Sequence, residues 1–85
     1  MTTYKEGELL RVKKTFKMYR NDDKSEIWIQ PNTLYRVIYA EHFKETGSSY
    51  YELGGVPITK NSVCLQLYND PEHEMVDWYF DRCEE

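Results

Sequence analysis

In the stretch "ELLRVKKTFKMYR", residues 8–20, Leu10, Val12, Phe16 and Met18 occupy alternate positions, and Arg11, Lys13, Thr15 and Lys17 fill positions between them. An extended chain turns successive side chains to opposite sides, so this spacing makes one apolar face and one polar face. A helix, repeating every ~3.6 residues, would scatter both sets. Lys14 is the exception to the pattern. The segment predicts a half-buried strand. "NDDK" at 21–24 predicts a polar turn, and "SEIWIQ" a second strand with Ile27 and Ile29 on one side and Trp28 on the other.

Pro31 has no N–H to give to a ladder and restricts Gln30, so "QPNT" is predicted to turn between two strands. In "TLYRVIYAEHF", Tyr35, Val37, Tyr39 and Phe43 share one face, and Leu34, Ile38 and Ala40 the other. A strand that is apolar on both faces belongs inside a sheet rather than at its edge. "KETGSS" reads as a hairpin loop, "YYEL" as a short returning strand and "GGVP" as punctuation. "ITKNSVCLQLY" begins in a tight turn and ends in a strand with Val63, Leu65 and Leu67 inward. The end of the chain carries two readings. Asp70 as cap, Pro71 as first helical residue and the acids after them predict a helix with Val76, Tyr79, Phe80 and Cys83 in a stripe. Val76, Trp78 and Phe80 also alternate with Asp77, Tyr79 and Asp81, and the β-rich composition of "VDWYF" favours that strand reading.

Five or six short strands between closely spaced turns predict an all-β fold. It is a small, strongly curved antiparallel barrel taking residues 1–85 as a single domain, with the C-terminal segment a strand or a short helix. Leu10, Val12, Phe16, Ile27 and Ile29 are expected in its core, with Tyr35, Val37, Tyr39, Leu65 and Leu67 from the later strands. A long first strand, the "PNTLYRV" entry to a central strand, a hairpin, and "VPITKNSVCL" crossing into a last core strand follow in order. This layout resembles a Src homology 3-like barrel over most of residues 7–68. The aromatic peptide-binding signature of the signalling members is absent. In size, tyrosine content and lack of a catalytic motif the chain also resembles small accessory proteins of bacteriophages. That resemblance implies binding to a host protein, with inhibition or redirection as its consequence.

Eighty-five residues allow one limited core and no second domain. Thirteen residues are aromatic and eight of those are Tyr, whose apolar body and polar tip suit both half-buried strands and binding surfaces. The opening "MTTYKEGELLRVKK" has no apolar h-region, and "VIYA" is far too short an apolar run to span a membrane. A soluble, cytoplasmic protein without membrane contact is expected, with Cys64 and Cys83 as reduced structural thiols. The net charge of −4 is unevenly spread: residues 1–44 hold nine Lys/Arg and six Asp/Glu, residues 45–85 two and nine.

Little of this points to catalysis. Cys64, Cys83, His42 and His73 are four possible metal ligands, but no pair has the C-x₂-C or H-x₃-H spacing that local structure could close, so no metal or other cofactor is expected. "LGGVP" lacks the Lys and Ser/Thr of a phosphate loop. The acids from Asp70 to Glu85 could act as acid and base only in a cleft, which a barrel of this size hardly offers. Binding remains. A protein partner with a basic surface, such as a nucleic-acid enzyme or transcription component, would meet Trp28, Tyr50, Trp78 and Tyr79 as aromatic anchors and Asp77 and Asp81 as charges. Single-stranded nucleic acid is the alternative, held by Arg11, Lys13 and Lys17 with Tyr19 and Trp28 stacking beside them, although the acidic pI of about 5.2 opposes it.

Overall fold

The structure is a computed structural model and describes residues 2–19, 24–60 and 62–83. Asn21–Asp23 of the turn expected at 21–24, Asn61, and the terminal acids Glu84 and Glu85 lie outside the described residues. The elements in chain order are β1 (Leu9–Val12), β2 (Phe16–Tyr19), β3 (Glu26–Ile29), β4 (Leu34–Phe43), β5 (Ser48–Gly55), β6 (Cys64–Asn69), α1 (Met75–Tyr79) and β7 (Phe80–Cys83). The fold is all-β, as its alternation predicts. A five-stranded antiparallel sheet in the order β6-β5-β4-β1-β7 curls into a half-barrel, and β2 and β3 form a separate hairpin. β4 is its middle strand.

The expected long first strand is in fact two. Lys14 would have placed an ammonium on the apolar face, where it has no partner to offset desolvation, and the chain bends there instead. The corner is held by the Lys13 N–H, which donates to the Tyr79 carbonyl at 2.8 Å, and by Thr15 Oγ1, which donates to the Ile29 carbonyl at 2.8 Å. β1 stays in the sheet. β2 crosses to its concave side and pairs with β3 in the register Phe16↔Ile29 and Met18↔Ile27. "QPNT" turns as predicted: Asn32 has a positive φ of 70°, its N–H donates to the Val12 carbonyl at 2.7 Å, and Thr33 Oγ1 donates to the Gln30 carbonyl at 2.8 Å.

β4 departs from simple alternation. Val37 pairs with Leu53, but the next partner pair is Tyr39↔Glu52, so Ile38 is an extra residue in a β-bulge. A one-residue shift exchanges the faces of everything beyond it. Tyr35 and Val37 therefore point into the core, whereas Tyr39 and Phe43, expected beside them, point out and are exposed. Ala40 takes the inward place and packs on the core. Val63 is also exposed, lying before β6 rather than in it.

The C-terminal segment satisfies both of its readings in succession. Asp70 Oδ1 accepts from the N–H groups of Glu72 at 2.9 Å and His73 at 2.7 Å, closing a turn rather than capping a helix. The helix starts later and lasts one turn, with buried Asn69 accepting from the Val76 N–H at 2.8 Å. β7 follows directly and pairs with β1 along Leu9↔Cys83 to Val12↔Phe80. The core runs across the concave face, including the row Val37–Leu53–Leu65 over three neighbouring strands. Tyr4, the hairpin residues Phe16 and Ile29, and Val76 of α1 complete it, with Ile27 half-buried at its margin. Phe16 links the hairpin to the sheet through Phe80, ring centroids 5.7 Å apart.

Candidate functional site

The outward turn of Tyr39 assembles a surface on β4, β5 and β6. The register places Tyr50 opposite Tyr68 on one side and Glu41 on the other, while Glu52 lies opposite Tyr39 and Gln66. Outward tyrosines and carboxylates thus alternate on β4 and β5, with Tyr68 joining them on β6. Tyr39 and Tyr50 have ring centroids 6.0 Å apart at 63°, and Tyr50 and Tyr68 5.0 Å apart at 51°, so the rings form a continuous ladder. Tyr68 is 54% exposed and Tyr39 39%. At one end Gly54 leaves room above the sheet, and Ile38 and Ile58 both close on that room, each 3.5 Å from where a β-carbon on Gly54 would stand. Both isoleucines are themselves exposed.

The electrostatics of this face centre on two acids. Tyr39 Oη donates to Glu41 Oε2 at 3.1 Å, and this bond and the Glu41 charge push the phenol above its ordinary value. Desolvation, then the charge of Glu52, pushes Tyr50 up as well. Burial followed by the same Glu52 charge raises the Cys64 thiol, which keeps it protonated and a poor nucleophile. Among the described residues neither Glu41 nor Glu52 is ion-paired.

Elsewhere several charges are paired. Lys13 and Asp81 were assigned from sequence to opposite kinds of ligand, yet their side chains meet at 3.5 Å. Arg11 lies directly across from Asp81 in the β1–β7 ladder. Lys17 pairs with Glu26 at 3.3 Å and lies 5.7 and 5.8 Å from the ring centroids of Tyr19 and Trp28. Arg82 Nε binds Glu8 at 2.7 Å. Of these contacts, Lys13–Asp81 joins the basic first half of the chain to the acidic second half, Lys17–Glu26 lies within the first half, and Arg82–Glu8 pairs a cation of the second half with an acid of the first.

Of the six protein-binding candidates, Asp77, Trp78 and Tyr79 share α1 and Asp81 follows on β7, while Trp28 and Tyr50 stand apart on β3 and β5. Trp28 is exposed on the hairpin, and Tyr50 stands in the tyrosine ladder. Trp78 is exposed on α1, 6.3 Å in ring separation from His73. Tyr79 is half-buried and stacks on Phe16 at 4.5 Å, so it serves packing. Asp81 is paired to Lys13. Asp77 ties down the N-terminal segment: its two oxygens accept from the Thr2 N–H at 2.9 Å and from Tyr4 Oη at 2.7 Å. Burial pushes this carboxyl up, but hydrogen bonds from Thr2, Tyr4 and Asn69 outweigh it and hold the group below its ordinary value.

Cys64 and Cys83 are free and lie on β6 and β7, the two edge strands of the sheet. No three metal-ligating side chains converge among the described residues. His42 Nδ1 and Ser49 Oγ are 2.8 Å apart, but Ser49 is buried at 5% exposure, which keeps a substrate carbonyl from its hydroxyl. Among the described residues no helix is long and apolar enough to cross a membrane.

Comparison with known proteins finds no matching family model, no matching curated protein and no matching solved structure. Of the residues that make up the outer face, the sequence points to Tyr50 alone as a binding residue. Tyr68 had a usable signal, since it alternates with inward Leu65 and Leu67. Tyr39, Glu41 and Phe43 had none, because the bulge at Ile38 reverses the faces that alternation assigns.

Proposed function

We propose that the protein is a non-enzymatic binding module that docks a protein partner with a basic surface onto the outer face of β4, β5 and β6. The observation that carries this reading is the Tyr39–Tyr50–Tyr68 ladder interleaved with two carboxylates that lack a cationic partner among the described residues. Tyrosines offer large contact area with few rotatable bonds, and unmatched acids steer and orient a basic partner. Ile38 and Ile58 enlarge the apolar part of the same face. A host nucleic-acid enzyme or transcription component has surfaces of the required charge. The resemblance to bacteriophage accessory proteins makes docking in the host cytoplasm, with inhibition of the partner, the natural elaboration.

Single-stranded nucleic acid is the second reading, favoured by Lys17 lying between the exposed rings of Tyr19 and Trp28. It is weaker because Lys13 and Lys17 already serve Asp81 and Glu26, and phosphate binding needs cations to spare.

Affinity capture from a bacterial lysate, with and without nuclease, separates the two. Wild-type protein is expected to retain a protein insensitive to nuclease, Tyr50→Leu/Tyr68→Ser to lose it, and Arg11→Glu/Lys17→Glu to keep it. Retention by the tyrosine variant, or release by nuclease, contradicts the proposal.

A further inference from the structure

We infer that the group recognised on this face is an arginine side chain of the partner, its guanidinium laid on the Tyr50 and Tyr68 rings and paired with Glu52; this rests on the docking face proposed above. Three features converge on that occupant. Tyr39 and Tyr68 are exposed and Tyr50 between them is half-buried, so the ladder presents aromatic surface to solvent. An exposed π face attracts a cation, and a planar guanidinium can stack as well, which an ammonium cannot. Glu52 lies directly across from Tyr39 and shares the outward face of β5 with Tyr50, and its charge adds to the upward shift of both phenols. It has no ion pair among the described residues. The protein already holds one of its own arginines in this way: the Arg82 guanidinium lies 5.2 Å from the Tyr4 ring centroid and its Nε binds Glu8 at 2.7 Å. On β4–β6 the rings stand beside an acid that has no ion pair among the described residues.

Fluorescence anisotropy of labelled peptides tests this, using alternating Gly-Arg, Gly-Lys and Gly-citrulline sequences of equal length. The Arg peptide is expected to bind about threefold or more tighter than the Lys peptide, and the neutral citrulline peptide not measurably. Glu52→Gln and Tyr68→Leu, which keeps apolar area but removes the ring, are each expected to weaken the Arg peptide about fivefold. Glu72→Gln, which changes the net charge equally at an exposed turn, is expected to leave it unchanged. Equal affinity for Arg and Lys, or equal losses from Glu52→Gln and Glu72→Gln, would overturn the inference by reducing it to general attraction between a polycation and an acidic protein. Capture of a protein partner that depends on Tyr68 but ignores the Arg peptide would overturn the arginine assignment alone. Failure of both capture and peptide binding would overturn the docking face with it.

Discussion

Asp77 illustrates how a residue's neighbours decide its role. On sequence alone it is one of several acids in a charged tail, and a docking charge is a fair reading. In the fold it accepts hydrogen bonds from Thr2 and Tyr4, while Tyr51 Oη accepts from the Tyr4 N–H at 3.0 Å, so the N-terminal segment is clasped to α1 and β5. Nothing in the spacing of residues 75 apart announces that contact. Asp77→Asn presents an amide to the Thr2 N–H and should cost about 1 kcal/mol at neutral pH, the group being partly solvated. Because the folded carboxyl is held below its ordinary value, its stabilisation is complete above the unfolded pKa of about 3.9 and is lost as pH falls through the folded pKa. The gap between wild type and Asp77→Asn in urea unfolding should thus be constant from pH 7 to 5 and shrink below about pH 4. A gap that persisted unchanged at pH 2 would rule out the carboxylate as its source.

At the scale of elements, alternation gives the inward residues of β1, β2 and β3 and the inward Leu65 and Leu67 of β6, but it runs β1 and β2 together as one strand and extends β6 back to the exposed Val63. Lys14 even marks the break between the first two, although the break itself needs the hairpin's tertiary packing to be seen. The C-terminal ambiguity was physical: five residues of helix followed by four of strand satisfy neither pattern alone. β5 takes in Ser48, Ser49, Gly54 and Gly55 beyond the short "YYEL" strand, and on β4 the bulge at Ile38 reverses the pattern and carries Tyr39 and Phe43 outward. Tyr39→Thr, which keeps β propensity, should change unfolding stability by less than about 0.5 kcal/mol. Tyr51→Ala, at a fully buried position of β5, should cost about 3–5 kcal/mol. If Tyr39 proved as costly as Tyr51, the bulge would be misplaced and the outer face would lose a member.

For the molecule as a whole, charge along the chain is a poor guide to charge in space. The +3 and −7 halves of the sequence suggest two opposed surfaces. Folding brings Lys13 to Asp81 and Arg82 to Glu8 and ties Asp77 to the N-terminal segment, while Glu41 and Glu52 stand on the aromatic face without an ion pair among the described residues. The sequence thus made the β class and most of the core readable, but not the site, which depends on a bulge and on contacts between distant strands. Mapping the amide NMR signals of the isotope-labelled protein as it is titrated with the captured partner tests the site most directly. Shifts or broadening at Tyr39, Glu41, Tyr50, Glu52 and Tyr68, with Arg11, Lys17, Trp28 and Trp78 undisturbed, are the expected result. Perturbation confined to the β2–β3 hairpin or to α1, with β5 and β6 unchanged, would contradict it.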